Sequence, residues 1–122
     1  MGQHVLLIED EPNIAEALRF VLARDGWRVS VFAQGAGAVG EVARLLPDLV
    51  ILDLMLPGMS GLEIVELLRA DPITEALPVM MLTAKGLARD REAALRAGVS
   101  LFMTKPFSNA EVVTQARVMV GL

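Results

Sequence analysis

Polar residues stand at the ends of four short aliphatic runs in this chain. Glu9, Asp10 and Glu11 follow "VLLI", Asp53 ends "LVILD", Thr83 follows "PVMML" and Lys105 follows "SLFMT". Drawn together, the carboxylates would offer only oxygen ligands, the donor set of a hard divalent cation. A lysine beside them would add one fixed positive charge, and a threonine one hydroxyl.

Bringing these residues together requires a scaffold that ends every run at the same place. A fifth run, "RVSVF", ends in Phe32 and Ala33 and supplies nothing reactive. Between the runs lie four segments of helical length, and a further one closes the chain. Strands alternating with helices predict a parallel sheet covered on both faces, an α/β doubly wound (βα)5 three-layer sandwich. Helix ends are marked by Pro12, by Gly26 and Gly98, and by the Ser-x-x-Glu pairs Ser60/Glu63 and Ser108/Glu111. Val112, Ala116, Met119 and Val120 form an inward stripe on the last helix, with Val113 off it.

In such a sheet, ligands bind outside the carboxyl ends of the strands. With strand order 2-1-3-4-5, the first and third strands are neighbours, and Asp10 and Asp53 come within roughly 5 Å, repelling by ~3 kcal/mol at an effective dielectric near 20. That cluster calls for a cation, and Mg²⁺ is the natural candidate. Lys105 has about 10 Å of sheet to cross. Each residue also has a plainer reading by itself: Asp53 as a turn former, Glu9 to Glu11 as favourable charges at a helix N-terminus, Thr83 as an N-cap, Lys105 as a solvated loop lysine. Their joint placement at one sheet edge argues against that reading.

The remaining composition narrows the class. A chain of 122 residues with 54% hydrophobic and 21% charged residues makes one ordered domain. The net charge of -4 gives no footprint for nucleic acid. Cysteine is absent, which removes disulfides and thiolate chemistry. "VLLI" is too short for a signal-peptide core or a membrane span, so a cytoplasmic location is expected. His4, at the start of a strand, reads as a surface residue.

The motifs "LLIEDEP", "LVILDLMLPGMSGLE", "PVMMLTA" and "FMTKPF" resemble, in order and spacing, those of response-regulator receiver domains of two-component signalling. The resemblance covers the whole chain and implies a flavodoxin-like fold with strand order 2-1-3-4-5. It implies that Asp53 is the phosphoacceptor for a phosphohistidine on a histidine kinase or histidine phosphotransfer protein. It further implies that Mg²⁺ is held by Asp10, Asp53 and the Met55 backbone carbonyl, with Glu9 acting through water. Lys105, Thr83 and Ala84 would bind the phosphoryl group. Thr83 and Phe102 would form a switch pair biasing the face of helix 4, strand 5 and helix 5, and Lys105-Pro106 would be a cis peptide.

Some features depart from the family pattern. Val99 and Ser100 cannot form the acidic pairs of the dimer seen in many transcription-factor receivers, and Met55 and Lys85 occupy positions that vary. The expectation is a receiver domain over residues 1–122 with no output domain, either stand-alone or part of a longer regulator, and with an unnamed downstream protein target. Two alternatives are a receiver-like module that no longer accepts phosphate and a flavodoxin-like cofactor binder. The latter conflicts with "EDEPN" after strand 1, which would repel a phosphate.

Overall fold

A computed structural model describes residues 2–83, 88–104 and 107–122. Its strands are β1 (His4–Ile8), β2 (Arg28–Phe32), β3 (Leu49–Asp53), β4 (Val79–Thr83) and β5 (Leu101–Thr104). The helices are α1 (Pro12–Arg24), α2 (Ala38–Leu45), α3 (Gly61–Ala70), α4 (Ala88–Ala97) and α5 (Asn109–Met119). All strand pairs are parallel, in the order β2-β1-β3-β4-β5 expected from the sequence.

The three central strands read as continuous aliphatic runs because both their faces are covered. Their side chains alternate between two cores. Leu6, Ile8, Val50, Leu52, Val79 and Met81 pack against α2, α3 and α4, with Phe102 of β5 joining them. Val5, Leu7, Leu49, Ile51, Met80 and Leu82 pack against α1 and α5, around Leu18, Leu22 and Trp27. Each fully buried Leu or Ile stabilises the fold by about 1.5–3 kcal/mol relative to exposure. The edge strand β2 is only partly buried.

Local signals set the helix ends. Pro12 stands in the first turn of α1, and the Glu11 carboxylate caps that helix by accepting from Asn13 N at 3.2 Å. Ser60 Oγ accepts from Glu63 N and Ser108 Oγ from Glu111 N, each at 3.3 Å, as their spacing predicts. Gly26 and Gly98 follow α1 and α4 with φ of +99° and +111°, a region closed to most side chains. Leu46 takes the equivalent place after α2 at φ +45°, although it is a leucine and mostly exposed.

Val113, off the stripe as read from the sequence, flanks it and is partly buried against the α1/α5 core, while Val118 is an exposed valine of α5. His4 lies at the surface beside β2, partly buried, with Nε2 2.7 Å from Ser30 Oγ.

A clamp closes the opposite pole. Arg69, in the last turn of α3, donates to the carbonyls of Gly98 (2.9 Å), Glu75 (3.0 Å) and Leu77 (2.7 Å), so that its guanidinium ties the α3–β4 and α4–β5 connections together. Gly98 has no side chain to obstruct it: a Cβ there would lie 2.7 Å from Arg69 Cγ. Helix α4 is the most lightly seated of the helices, with Ala94 its single fully buried residue among those described.

Candidate functional site

Register brings the acidic residues together. Ile8 pairs with Leu52, so Glu9, one residue beyond β1, stands level with Asp53 at the end of β3. Asp53 pairs in turn with Leu82, which puts Thr83 one step further out on β4. The carboxylate oxygens of Glu9, Asp10 and Asp53 lie within 4.8 Å of one another. The roughly 5 Å expected between Asp10 and Asp53 agrees with this spacing.

Glu9 and Asp53 are buried while Asp10 is exposed, so the cluster opens to solvent on one side. Neighbouring main-chain groups orient the carboxylates. Glu11 N donates to Glu9 Oε2 at 3.1 Å, and Met55 N donates to Asp53 Oδ1 at 3.3 Å. Glu9 N donates to Phe32 O at 3.0 Å, anchoring the residue after β1 to the end of β2.

Packed this closely, each pair of charges repels by about 3.5 kcal/mol at an effective dielectric of ~20, and by under about 1 kcal/mol in bulk water. A divalent cation offsets that repulsion. The all-oxygen donor set, with one side open to water, suits Mg²⁺, which keeps several of its own waters and takes only one or two carboxylates from a protein. The residues present therefore fit the ion that the sequence motifs imply.

The other expected site residues are distributed as follows. Thr83 is buried at the end of β4, next to the acidic cluster in register. Phe102 is buried in the core beneath α4, its ring inward. Met55 is exposed in the loop after β3. Ala84, Lys85, Lys105 and Pro106, including the expected cis peptide, lie outside the described residues. Glu11 is spent on capping α1 and stands apart from the cluster. His4 sits at the opposite end of β1.

The β3–α3 loop is shaped by contacts that single-residue reading of the sequence passed over. Gly61 N donates to Leu54 O at 2.8 Å, and a Cβ on Gly61 would run into the carbonyl oxygen of Asp53 itself. Helix α3 therefore starts directly against the backbone of the acidic residue. On the far side, Gly35 N and Ala36 N of the β2–α2 loop donate to Pro57 O at 2.8 and 3.3 Å.

Residues 5–117 match the family model described as the response regulator receiver domain. The chain belongs to the response regulator receiver domain family. It is 41% identical over 117 residues to the DNA-binding response regulator MtrA of Mycolicibacterium smegmatis, covering 96% of this chain and 50% of that one. It thus spans about half the length of the curated relatives it matches. A Chloroflexus aurantiacus J-10-fl protein, itself assigned as a response regulator, superposes with a TM-score of 0.93 at 32% identity, over 100% of both chains. The receiver domain of sensor histidine kinase PA1611 from Pseudomonas aeruginosa PAO1 superposes with a TM-score of 0.86 at 34% identity, also over 100% of both. That crystal structure has a magnesium ion coordinated in its active-site cleft. This receiver domain has the flavodoxin-like order of strands, and none of its described helices is long and apolar enough to cross a membrane.

Proposed function

We propose that Asp53 accepts a phosphoryl group from a phosphohistidine and that the resulting aspartyl phosphate switches a binding surface. The observation that carries this reading is the convergence of three carboxylates within 4.8 Å at the carboxyl edge of the sheet, with Asp53 buried at the end of a fully buried strand.

The chemistry asks the protein for placement more than for bond-making. An oxygen of Asp53 bonds to phosphorus as the P–N bond to the donor histidine breaks, and the imidazole leaves with the electron pair. Strand β3 limits the motion of the nucleophile, since all five of its residues are buried. Asp10, Asp53 and the Met55 carbonyl would hold Mg²⁺, with Glu9 acting through water; the magnesium-bound receiver of PA1611 supports this assignment. When bound, the ion neutralises charge on the phosphoryl oxygens. Lys105 is assigned a second positive contact to them, and the Thr83 hydroxyl and Ala84 the remaining polar contacts.

The switch follows from Thr83 being drawn toward the new phosphoryl oxygens, with Phe102 responding beneath α4 and altering the α4–β5–α5 face. The donor is a histidine kinase or histidine phosphotransfer protein. The receiver of a sensor histidine kinase among the similar structures supports such a partner. The output passes through an as yet unnamed protein surface; with a net charge of -4, we assign no nucleic-acid contact to these residues.

Incubation with acetyl phosphate tests the reading. Wild-type protein should gain the mass of one phosphoryl group only when Mg²⁺ is present, and Asp53→Asn should gain none. No gain in the wild type, or an equal gain in Asp53→Asn, overturns the assignment.

A further inference from the structure

We infer that Gly35, in the β2–α2 loop, is a positioning residue for the acidic site. This rests on the proposed ion-binding role of Glu9, Asp10 and Asp53. The segment from Phe32 to Gly35 bridges the two halves of the cluster. At one end Phe32 O accepts from Glu9 N at 3.0 Å; at the other, Gly35 N donates to Pro57 O at 2.8 Å. Pro57 lies in the loop that carries Met55, whose amide in turn donates to Asp53 Oδ1. A short stretch of backbone therefore sets the spacing between Glu9 and the loop that follows Asp53.

Only glycine lets the two loops meet this closely. A Cβ on Gly35 would run into the carbonyl oxygen of Met59 and would lie 2.8 and 2.9 Å from Met59 C and N. All three atoms are backbone, so no side-chain rotation relieves the contact. Ordinary contact begins at 3.4 Å; Met59 C alone would require the β3–α3 loop to withdraw by about 0.6 Å, and the closer carbonyl oxygen requires more than twice that. Gly35 does not have positive φ, so alanine there introduces this contact without backbone strain. Gly58 meets the same loop from the other side: a Cβ there would lie 2.6 Å from Ala36 Cβ.

Mg²⁺ is sensitive to such a shift because it demands near-ideal octahedral geometry at about 2.0–2.1 Å, whereas Ca²⁺ accepts irregular cages at about 2.3–2.6 Å. Displacing a supporting group typically weakens metal binding by about 10–100-fold. Gly35→Ala should therefore weaken Mg²⁺ binding at least about tenfold while leaving Ca²⁺ binding within about twofold. A loss of global stability alone would not split the two ions in this way.

The experiment is an amide NMR titration of wild type, Gly35→Ala and Gly40→Ala with magnesium chloride and, separately, with calcium chloride. Gly40→Ala meets no atom within 4 Å and serves as the neutral control. A selective Mg²⁺ loss in Gly35→Ala supports the inference. Unchanged Mg²⁺ binding, or an equal loss for both ions, overturns it. Absence of Mg²⁺ binding in the wild type overturns the site assignment itself, a separate result. If Gly35→Ala does not fold, Gly58→Ala, which is strained also by its φ of +86°, must weaken Mg²⁺ binding more than Ca²⁺ binding; an equal loss for both ions overturns the inference.

Discussion

Removing one charge from the acidic cluster should make the metal-free protein more stable. Asp10→Asn is the informative change, because Asp10 is the exposed member and its loss leaves the buried carboxylates in place. Its carboxylate lies within 4.8 Å of those of Glu9 and Asp53. Each interaction is repulsive by about 3.5 kcal/mol at a dielectric of ~20 and about 0.9 kcal/mol at ~80. Exposure places Asp10 toward the aqueous value, so relief of both interactions comes to about 1–2 kcal/mol. In urea, with a denaturant slope of about 2 kcal/mol/M, the midpoint should rise by about 0.5–1 M in the presence of EDTA and low salt. Added salt should shrink the difference. Magnesium should then reverse the order: the wild type gains about 2.7 kcal/mol at a hundred times its dissociation constant, and the variant, lacking a ligand, gains less. Circular dichroism melts in EDTA and in magnesium chloride measure both halves. The reasoning fails if Asp10→Asn is no more stable than wild type in EDTA, or if both proteins gain equally from the ion.

Three further outcomes follow from features away from the site. Arg69→Met keeps much of the aliphatic packing and removes the guanidinium donors to Gly98, Glu75 and Leu77; it should lower stability by about 2–4 kcal/mol in urea melts, given about 1.5–3 kcal/mol per charge-assisted bond discounted for partial exposure. Leu46→Asn relieves a bulky residue at positive φ and should raise stability by up to about 1 kcal/mol, read as a higher thermal midpoint. Burial, with the nearby Arg28 charge, holds the His4 imidazole below its usual 6.5, while Asp48 opposes them. The unfolded chain therefore takes up that proton more readily. The resulting stability is present above pH 6.5 and is lost as pH falls below it toward the folded value. His4→Gln should flatten this part of the pH profile, and an unchanged slope would refute the assignment.

Much of the fold was legible because each strand carries its burial in its composition. "LVILD" is apolar on both faces, and the structure buries all five of its residues. The order of strands and the edge on which Glu9, Asp10 and Asp53 meet followed from parallel topology and the resemblance together. The seating of the β3–α3 loop on Gly35 was not legible, since it joins backbone atoms more than twenty residues apart and leaves no periodic trace. The second strand ends in nothing reactive, as expected, yet the loop after it supports the site. Its one available signal was glycine on both sides of the contact, at Gly35 and Gly58. The partial burial of Val113 was not legible for a related reason: a helix flank can be covered by a neighbouring helix, and α1 packs beside α5.

The light seating of α4 has a consequence for how the domain breathes. Its sequence, "ARDREAALRA", is rich in strong helix formers, so the helix holds its own shape, while a single alanine methyl provides its fully buried anchor. Lifting such a helix exposes little apolar surface, whereas lifting α3 would uncover Ile64, Val65 and Leu68. Amide hydrogens of α4 should therefore exchange through a local opening, well before those of α3, which wait for the domain as a whole to unfold. The central strands, packed on both faces, should keep their protection through that opening and exchange only when the domain unfolds.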